Sequence, residues 1–312
     1  MLRTLIASLF LATVAIAAPP VIFDTDMGND VDDALALAML HALTDRGECN
    51  LIGVTLTNAN PAAVPYVRMV NSFYGRPGLS VGAAIRDLKG GNGDGYMAAA
   101  LHAMNAIPAA AADPADVVLR RLLRAATEKV VIVQVGFSTN LAALLDSPED
   151  IALIRDKVSL VVAMAGNFTA ETNSEYNVHI DVASAKAVFE RWPTPIVFSG
   201  FEIGRDLPIP ASFIENDFTW AAPHPIAESY KAYKKMPYDR PTWDLTAALE
   251  AVRPGRGYFT RSENGTVTVT PEGLTRFTPG SGDRQYLRLD PAHRAEILSV
   301  LELLSSQPPG RK

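Results

Sequence analysis

The stretch PVIFDTDMGNDVDDALALAMLHAL, residues 20–43, decides the fold class. Its opening PVIFD (20–24) is a short apolar run suited to a buried strand, and VDDALALAMLHAL (31–43) carries its apolar residues at helical spacing. NLIGVTLTN (50–58) then returns to β-rich composition. Strand, helix and strand with short connections make a βαβ unit, which predicts a parallel sheet with a right-handed crossover. The pattern recurs down the chain. VVIVQVG (130–136), VSLVVAMAG (158–166) and TPIVFSG (194–200) are apolar runs ending at glycine, with helical segments between them near 139–146 and 182–191. The expected architecture is α/β, a doubly wound and mainly parallel central sheet. Such sheets bind ligands beyond the carboxyl ends of their strands, so residues there are site candidates before any motif is read.

Toward the carboxyl end the character changes. GYFTRSENGTVTVTPEGLTRF (257–277) alternates apolar and polar residues and carries Asn264-Gly265, which predicts a β-hairpin; PAHRAEILSVLELLSS (291–306) predicts a final helix. GGNGDG (90–95) reads as a flexible loop, and no repeat divides the chain, so a single domain over 18–312 is expected. At the other end, MLRTLIASLFLATVAIAAPP places Arg3 before an apolar run from Leu5 to Ile16, with small residues at Ala15 and Ala17. This predicts a secretory signal peptide over 1–17 and a secreted or periplasmic mature protein.

Composition narrows the partners. The 312 residues hold 28 Lys+Arg against 34 Asp+Glu, a net charge of −6, with 48% hydrophobic residues, which excludes extended disorder. This acidic balance lacks the basic footprint that phosphate backbones or anionic lipid require, so neither nucleic acid nor a membrane surface is expected as a partner. A small molecule is, and a homo-oligomer is compatible with the sequence. The single cysteine, Cys49, can form no internal disulfide and has no neighbours at zinc-ligand spacing.

Chemistry concentrates after the first strand. Asp24, Asp26, Asp30, Asp32 and Asp33 put five carboxylates into ten residues. If the strand stays extended through Asp26, Asp24 and Asp26 share a face, Gly28 permits a tight turn, and a helix starting near Asp30 returns Asp32 and Asp33 to the same mouth. Carboxylates converging this way repel one another, and a divalent cation relieves them; oxygen ligands favour calcium or magnesium over zinc. Helix capping would explain Asp30 and Asp33. It does not explain Asp24 and Asp26 on a strand, where aspartate is disfavoured. An EF-hand is excluded, because a loop starting at Asp24 would place Asn29 at its glycine and Leu35 at its bidentate acid.

Two metal-dependent families share parts of this string. The Asp24-x-Asp26 pair resembles haloacid-dehalogenase-type phosphatases, in which Asp24 would be the nucleophile and Asp26 the general acid. The longer run resembles the signature Asp-x-Asp-x-Gly…Asp-Asp-Ala of the calcium-dependent nucleoside hydrolases, with two residues inserted before Asp32-Asp33. That second resemblance continues in order through GVTLTNAN (53–60), VGFSTNLA (135–142), MAGN (164–167), SEYNVHID (174–181) and TWDLTAAL (242–249). It implies Asp26, Asp33, Asp244 and the backbone carbonyl of Val135 as calcium ligands, with Asp26 as the general base. Asp32 and Asn60 would hold ribose hydroxyls, Glu175 and Asn177 the 5′ end, and Asn167 would stand at the site. The implied reaction is hydrolysis of a ribonucleoside N-glycosidic bond to base and ribose through an oxocarbenium-like sugar.

The chain departs from that pattern where many relatives carry a histidine able to protonate the departing base. Trp243 stands there, and an indole cannot act as that acid. Stacking on the nucleobase, beneath the 91–95 loop and beside Tyr230, Tyr233 and Tyr238, is the role expected of Trp243, with core packing as its alternative. His41, His102, His179, His224 and His293 lack motif support. An exported nucleoside-binding protein without catalysis is the remaining alternative, although a pure binder needs no water-activating metal.

Overall fold

The computed structural model describes residues 18–88, 95–106, 111–169 and 173–310. Among them, ten strands form one sheet: β1 (Pro20–Thr25), β2 (Asn50–Leu56), β3 (Ser80–Gly82), β4 (Val130–Gln134), β5 (Val158–Met164), β6 (Ile196–Ser199), β7 (Thr260–Arg261), β8 (Gly265–Val269), β9 (Thr275–Pro279) and β10 (Arg284–Arg288). The order is β3-β2-β1-β4-β5-β6-β10-β8-β9, with β7 paired to β10. From β3 to β6 every pairing is parallel, β10 joins β6 in parallel, and β8 and β9 continue antiparallel. The order reverses at β1 and β4, the switch point at which an open α/β sheet presents a crevice. Residues 1–17, where a signal peptide is expected, and most of the 90–95 loop lie outside the described residues.

Alternation along the strands divides the core between the two sheet faces. Val21, Phe23, Val131, Val133 and Val162 belong to one cluster, whereas Ile22, Ile132, Val161 and Ala163 belong to the other. Burial on both faces is why these strands read as unbroken apolar runs. The helix Asp32–Asp45 is buried from Asp32 through Leu43, because it lies between the sheet, the helix Trp243–Val252 and the terminal helix Arg294–Ser305. The hairpin is present as β8 and β9, but its turn falls at 270–274. Asn264-Gly265 instead leads into β8, because the neighbouring strand β7 pairs with β10 and not with β8.

Candidate active site

A cavity of about 250 Å³ opens where β1, β4 and β5 end. Its floor is acidic, formed by Asp26, Asp32, Asp33, Asp244 and Glu175, and Asn29, Asp30, Tyr176, Phe201 and Trp243 line the rest with Val135, Met164 and Asn177. Asp26 follows β1 directly. The chain then turns, the Asn29 amide donating to the Asp26 carbonyl at 3.1 Å, and Gly28 at φ +108° supplies the left-handed residue this turn needs. The helix that follows starts at Asp32 without any side-chain cap, so Asp30 and Asp33 are not there as capping residues. On the adjoining strand, Gly136 lets β4 end against Asp26, since a Cβ there would stand 2.5 Å from the Asp26 amide nitrogen.

Asp24 does not join them. Pairing ends at Thr25 and the chain turns away, so the shared face expected of Asp24 and Asp26 is lost. Fully buried, Asp24 accepts from Thr55 Oγ1 at 2.6 Å and from Asn140 Nδ2 at 2.8 Å, and it is not among the residues lining the cavity. A phosphatase nucleophile cannot work from that position.

The floor carries more negative charge than it can hold unaided. Carboxylate oxygens of Asp32, Asp33 and Asp244 lie within 4.8 Å of one another. The tight triad thus contains Asp32, with Asp26 lining the same cavity beside it, where the sequence reading groups Asp26 with Asp33 and Asp244. Burial, then the charge of Asp33, pushes Asp26 well above the usual carboxylate range. Asp32 is raised by burial and by Asp33, and Asp244 by burial and by Asp32. Burial alone takes Asp33 to about 7 despite a bond from Thr25 Oγ1. Asp26 Oδ2 is buried with no hydrogen-bond partner. An oxygen-only donor set with an unpartnered buried carboxylate oxygen fits a hard divalent cation.

The remaining predicted residues divide into two groups. Glu175, pushed to about 7 by burial, caps the helix Tyr176–Ile180: Oε1 accepts from the Asn177 amide at 2.8 Å, and Oε2 from Gly166 and Val178 at 3.0 and 3.2 Å. Asn177 Nδ2 donates to the Val135 carbonyl at 2.8 Å and to Met164 at 3.1 Å, which joins the ends of β4 and β5 beneath the cavity. Trp243 opens the last site helix, with Nε1 donating to the Phe201 carbonyl at 2.9 Å and its ring stacked on Phe201. Asn60 and Asn167 stand outside the lining. Asn60 Oδ1 accepts from Ala62 ahead of a helix, and Asn167 Oδ1 accepts from Thr169. Asn58 is the asparagine nearer Asp26, donating to its carbonyl at 3.3 Å.

Several site residues escaped the sequence reading. Phe201, which lines the cavity, carries no motif, and Arg240, outside the lining and three residues ahead of Trp243, is paired with the lining residue Asp30. Among the described residues lining the cavity there is no histidine, lysine or arginine. His41 and His224 are buried among Tyr74, Phe73, Phe218 and Trp220 instead.

Comparison with known proteins gives the same picture. A family model described as "Inosine-uridine preferring nucleoside hydrolase" matches residues 21–281. A pyrimidine-specific ribonucleoside hydrolase, RihA, of Salmonella schwarzengrund is 28% identical over 214 residues, covering 64% of this chain and 65% of its own length. The alignment therefore spans about two-thirds of each protein. Among solved structures, the inosine-uridine preferring nucleoside hydrolase of Bacillus anthracis superposes with a TM-score of 0.73 at 18% identity, over 92% of this chain and 99% of that one. The purine-preferring ribonucleoside hydrolase of Gardnerella vaginalis superposes at 0.68 and 20%, over 92% and 99%. At those identities the superpositions establish the fold.

Proposed function

Since the chain belongs to the inosine-uridine preferring nucleoside hydrolase family, we propose that it hydrolyses the N-glycosidic bond of ribonucleosides, releasing base and ribose. The observation that carries this reading is the convergence of Asp26, Asp32, Asp33, Asp244 and Glu175 on one cavity at the sheet's carboxyl end. Asp26, Asp33, Asp244 and the Val135 carbonyl would hold a calcium ion, with Asp32 close enough to share the site. Calcium bound there would supply positive charge that grips ribose hydroxyls and makes an attacking water more acidic.

The protein's own groups do the rest. Asp26, ionised once its repelling neighbours are neutralised, takes a proton from the water as general base while the water oxygen bonds to the anomeric carbon. Positive charge developing on the sugar is stabilised by the surrounding carboxylates. Asp32, Glu175 and Asn177 orient the ribose, and Tyr176, Phe201 and Trp243 leave an aromatic-walled space for the base. The relatives named above differ in base preference, and the leader over 1–17 would export the mature chain.

The decisive experiment incubates calcium-loaded protein with a panel of ribonucleosides and separates free base from ribose. Base release from at least one of them is expected. A folded, calcium-loaded protein that releases none would overturn the reading.

A further inference from the structure

Breaking an N-glycosidic bond leaves an electron pair on the departing base, and the described lining of this cavity offers no histidine, lysine or arginine to meet it. A guanidinium nonetheless stands just behind the lining at the aromatic end. Arg240 Nε donates to Asp30 Oδ1 at 2.9 Å while its Nη2 faces Asp30 Oδ2, a two-pronged ion pair. Its Cζ lies 5.3 Å over the ring of Trp243 and 5.1 Å over that of Tyr233. Asp30 and Trp243 both line the cavity.

The loop that presents Asp30 is itself held in place. The Asp30 carbonyl accepts from Tyr96 Oη at 2.9 Å, and that hydroxyl accepts from the Gly28 amide at 2.9 Å. No helix cap is made by Asp30. The loop that carries Asp30 therefore holds an arginine in place beside the aromatic end of the cavity, where Phe201 and Trp243 line it.

We propose that Arg240 stabilises the leaving base, with Asp30 as its positioning residue; this rests on the nucleoside-hydrolase reading. As the water oxygen bonds to the anomeric carbon and its proton passes to Asp26, the carbon–nitrogen bond breaks and its electron pair stays on the base. The guanidinium lowers the energy of that negative charge without giving up a proton, and the base takes its proton from solvent after it departs. Aromatic faces on two sides keep the guanidinium poorly hydrated, which strengthens its field toward the cavity.

The test compares inosine, a poor leaving group, with p-nitrophenyl riboside, whose phenolate leaves unaided, for calcium-saturated wild type, Arg240→Met, Arg240→Lys and Arg205→Met. Arg205 also lies over a lining ring, that of Phe201 at 5.7 Å, but is paired with Asp206 and serves as the control. Arg240→Met should lose about 10²-fold or more in kcat/KM on inosine and stay within about threefold on the riboside, Arg240→Lys recovering part of the loss. Arg205→Met should keep the wild-type ratio of the two substrates. Equal losses on both substrates would make Arg240 a structural strut and overturn the inference, as would no selective loss. If Arg240→Met melts well below wild type, Asp30→Asn is read by the same ratio and should show the same selective loss in smaller degree. A wild type inert to both substrates would bring down the nucleoside reading and this inference with it; a wild type active on both, with an unchanged ratio in the variants, would bring down the inference alone.

Discussion

Two aspartates at the end of one strand, Asp24 and Asp26, face two different regions of the molecule. Both are buried, and burial raises both above the usual carboxylate range, Asp24 to about 7. Asp24 sits in a polar row inside the sheet, its register partners being Thr55 on β2 and Gln134 on β4, with Asn140 donating from above. Gln134 Oε1, Asn140 Oδ1 and Asp24 Oδ2 are unpartnered there, so a proton on Asp24 supplies a donor to a row rich in acceptors. Asp26 faces Asp33 and Glu175 as well as the Asn29 side chain, and its Oδ2 is left without a hydrogen-bond partner. One region can be completed by a proton. The other fits a cation, and that difference separates a residue that holds the sheet together from one facing the cavity.

The sharpest way to break the comparison is to neutralise each aspartate in turn. Asp26→Asn keeps the shape and removes the base, so turnover in calcium should fall at least about 10²-fold, while without calcium the melting temperature holds or rises, since a repelling buried charge is gone. Metal occupancy has to be followed in the same samples. Undiminished turnover at full occupancy would remove Asp26 from its role.

Asp24→Ala should act on stability instead. It strands the Thr55 hydroxyl and the Asn140 amide in the interior, a loss of about 3 kcal/mol in denaturant unfolding. Asp24→Asn, which keeps the acceptor oxygen, should lose much less. If Asp24→Ala abolished turnover at unchanged stability, the division between the two regions would be false.

Calcium offers a third comparison. A ligand that binds only the folded state at about a hundred times its Kd adds about 2.7 kcal/mol, visible as a raised melting temperature that a chelator reverses. The shift should persist in Asp24→Asn and shrink in Asp26→Asn and Asp244→Asn. Asp32→Asn belongs in the same series: the tight triad includes Asp32, so a shift lost there but kept in Asp26→Asn would give the ligand position to Asp32.

Much of the fold and of the acidic floor is legible in the sequence, but the division between Asp24 and Asp26 is not, since both read as sharing one face. Apolar runs buried on both faces read correctly as parallel strands, because burial on both sides leaves no polar alternation to confuse the pattern. β3 was not read, as a strand of three residues, Ser80–Gly82, has no periodicity to detect. The acidic floor was visible as a run of aspartates, but the side to which Asp24 points depends on where pairing stops, a tertiary property set by β2 and β4. Phe201 had only its place just past the β6 run as a signal, and Arg240 left none of its own. Phe201 stands at the carboxyl end of β6, whereas Arg240 comes in just ahead of the Trp243–Val252 helix, and only its closeness to Trp243 and Asp244 in the chain hinted at it.

The finest test of the comparison is a pH profile of stability, read in saturating calcium so that the pocket carboxylates stay compensated. Asp24 titrates at about 7 in the folded chain, from an ordinary value of 3.8, because burial favours its neutral form. Below the ordinary value both states hold the proton, and the buried carboxyl costs the fold nothing on this account. As pH rises the unfolded chain ionises first, so stability falls with pH until the folded carboxyl ionises as well, near 7, and then levels off. The slope from one group cannot exceed about 1.4 kcal/mol per pH unit, and competing titrations will reduce it. Asp24→Asn has no such group. Its melting temperature relative to wild type should therefore climb from pH 5 to pH 7 and flatten above pH 8, whereas Asp26→Asn in calcium should show no comparable climb. A difference between Asp24→Asn and wild type that is flat across this range would mean that Asp24 is already ionised inside the sheet, and that the row is completed by some donor other than its own proton.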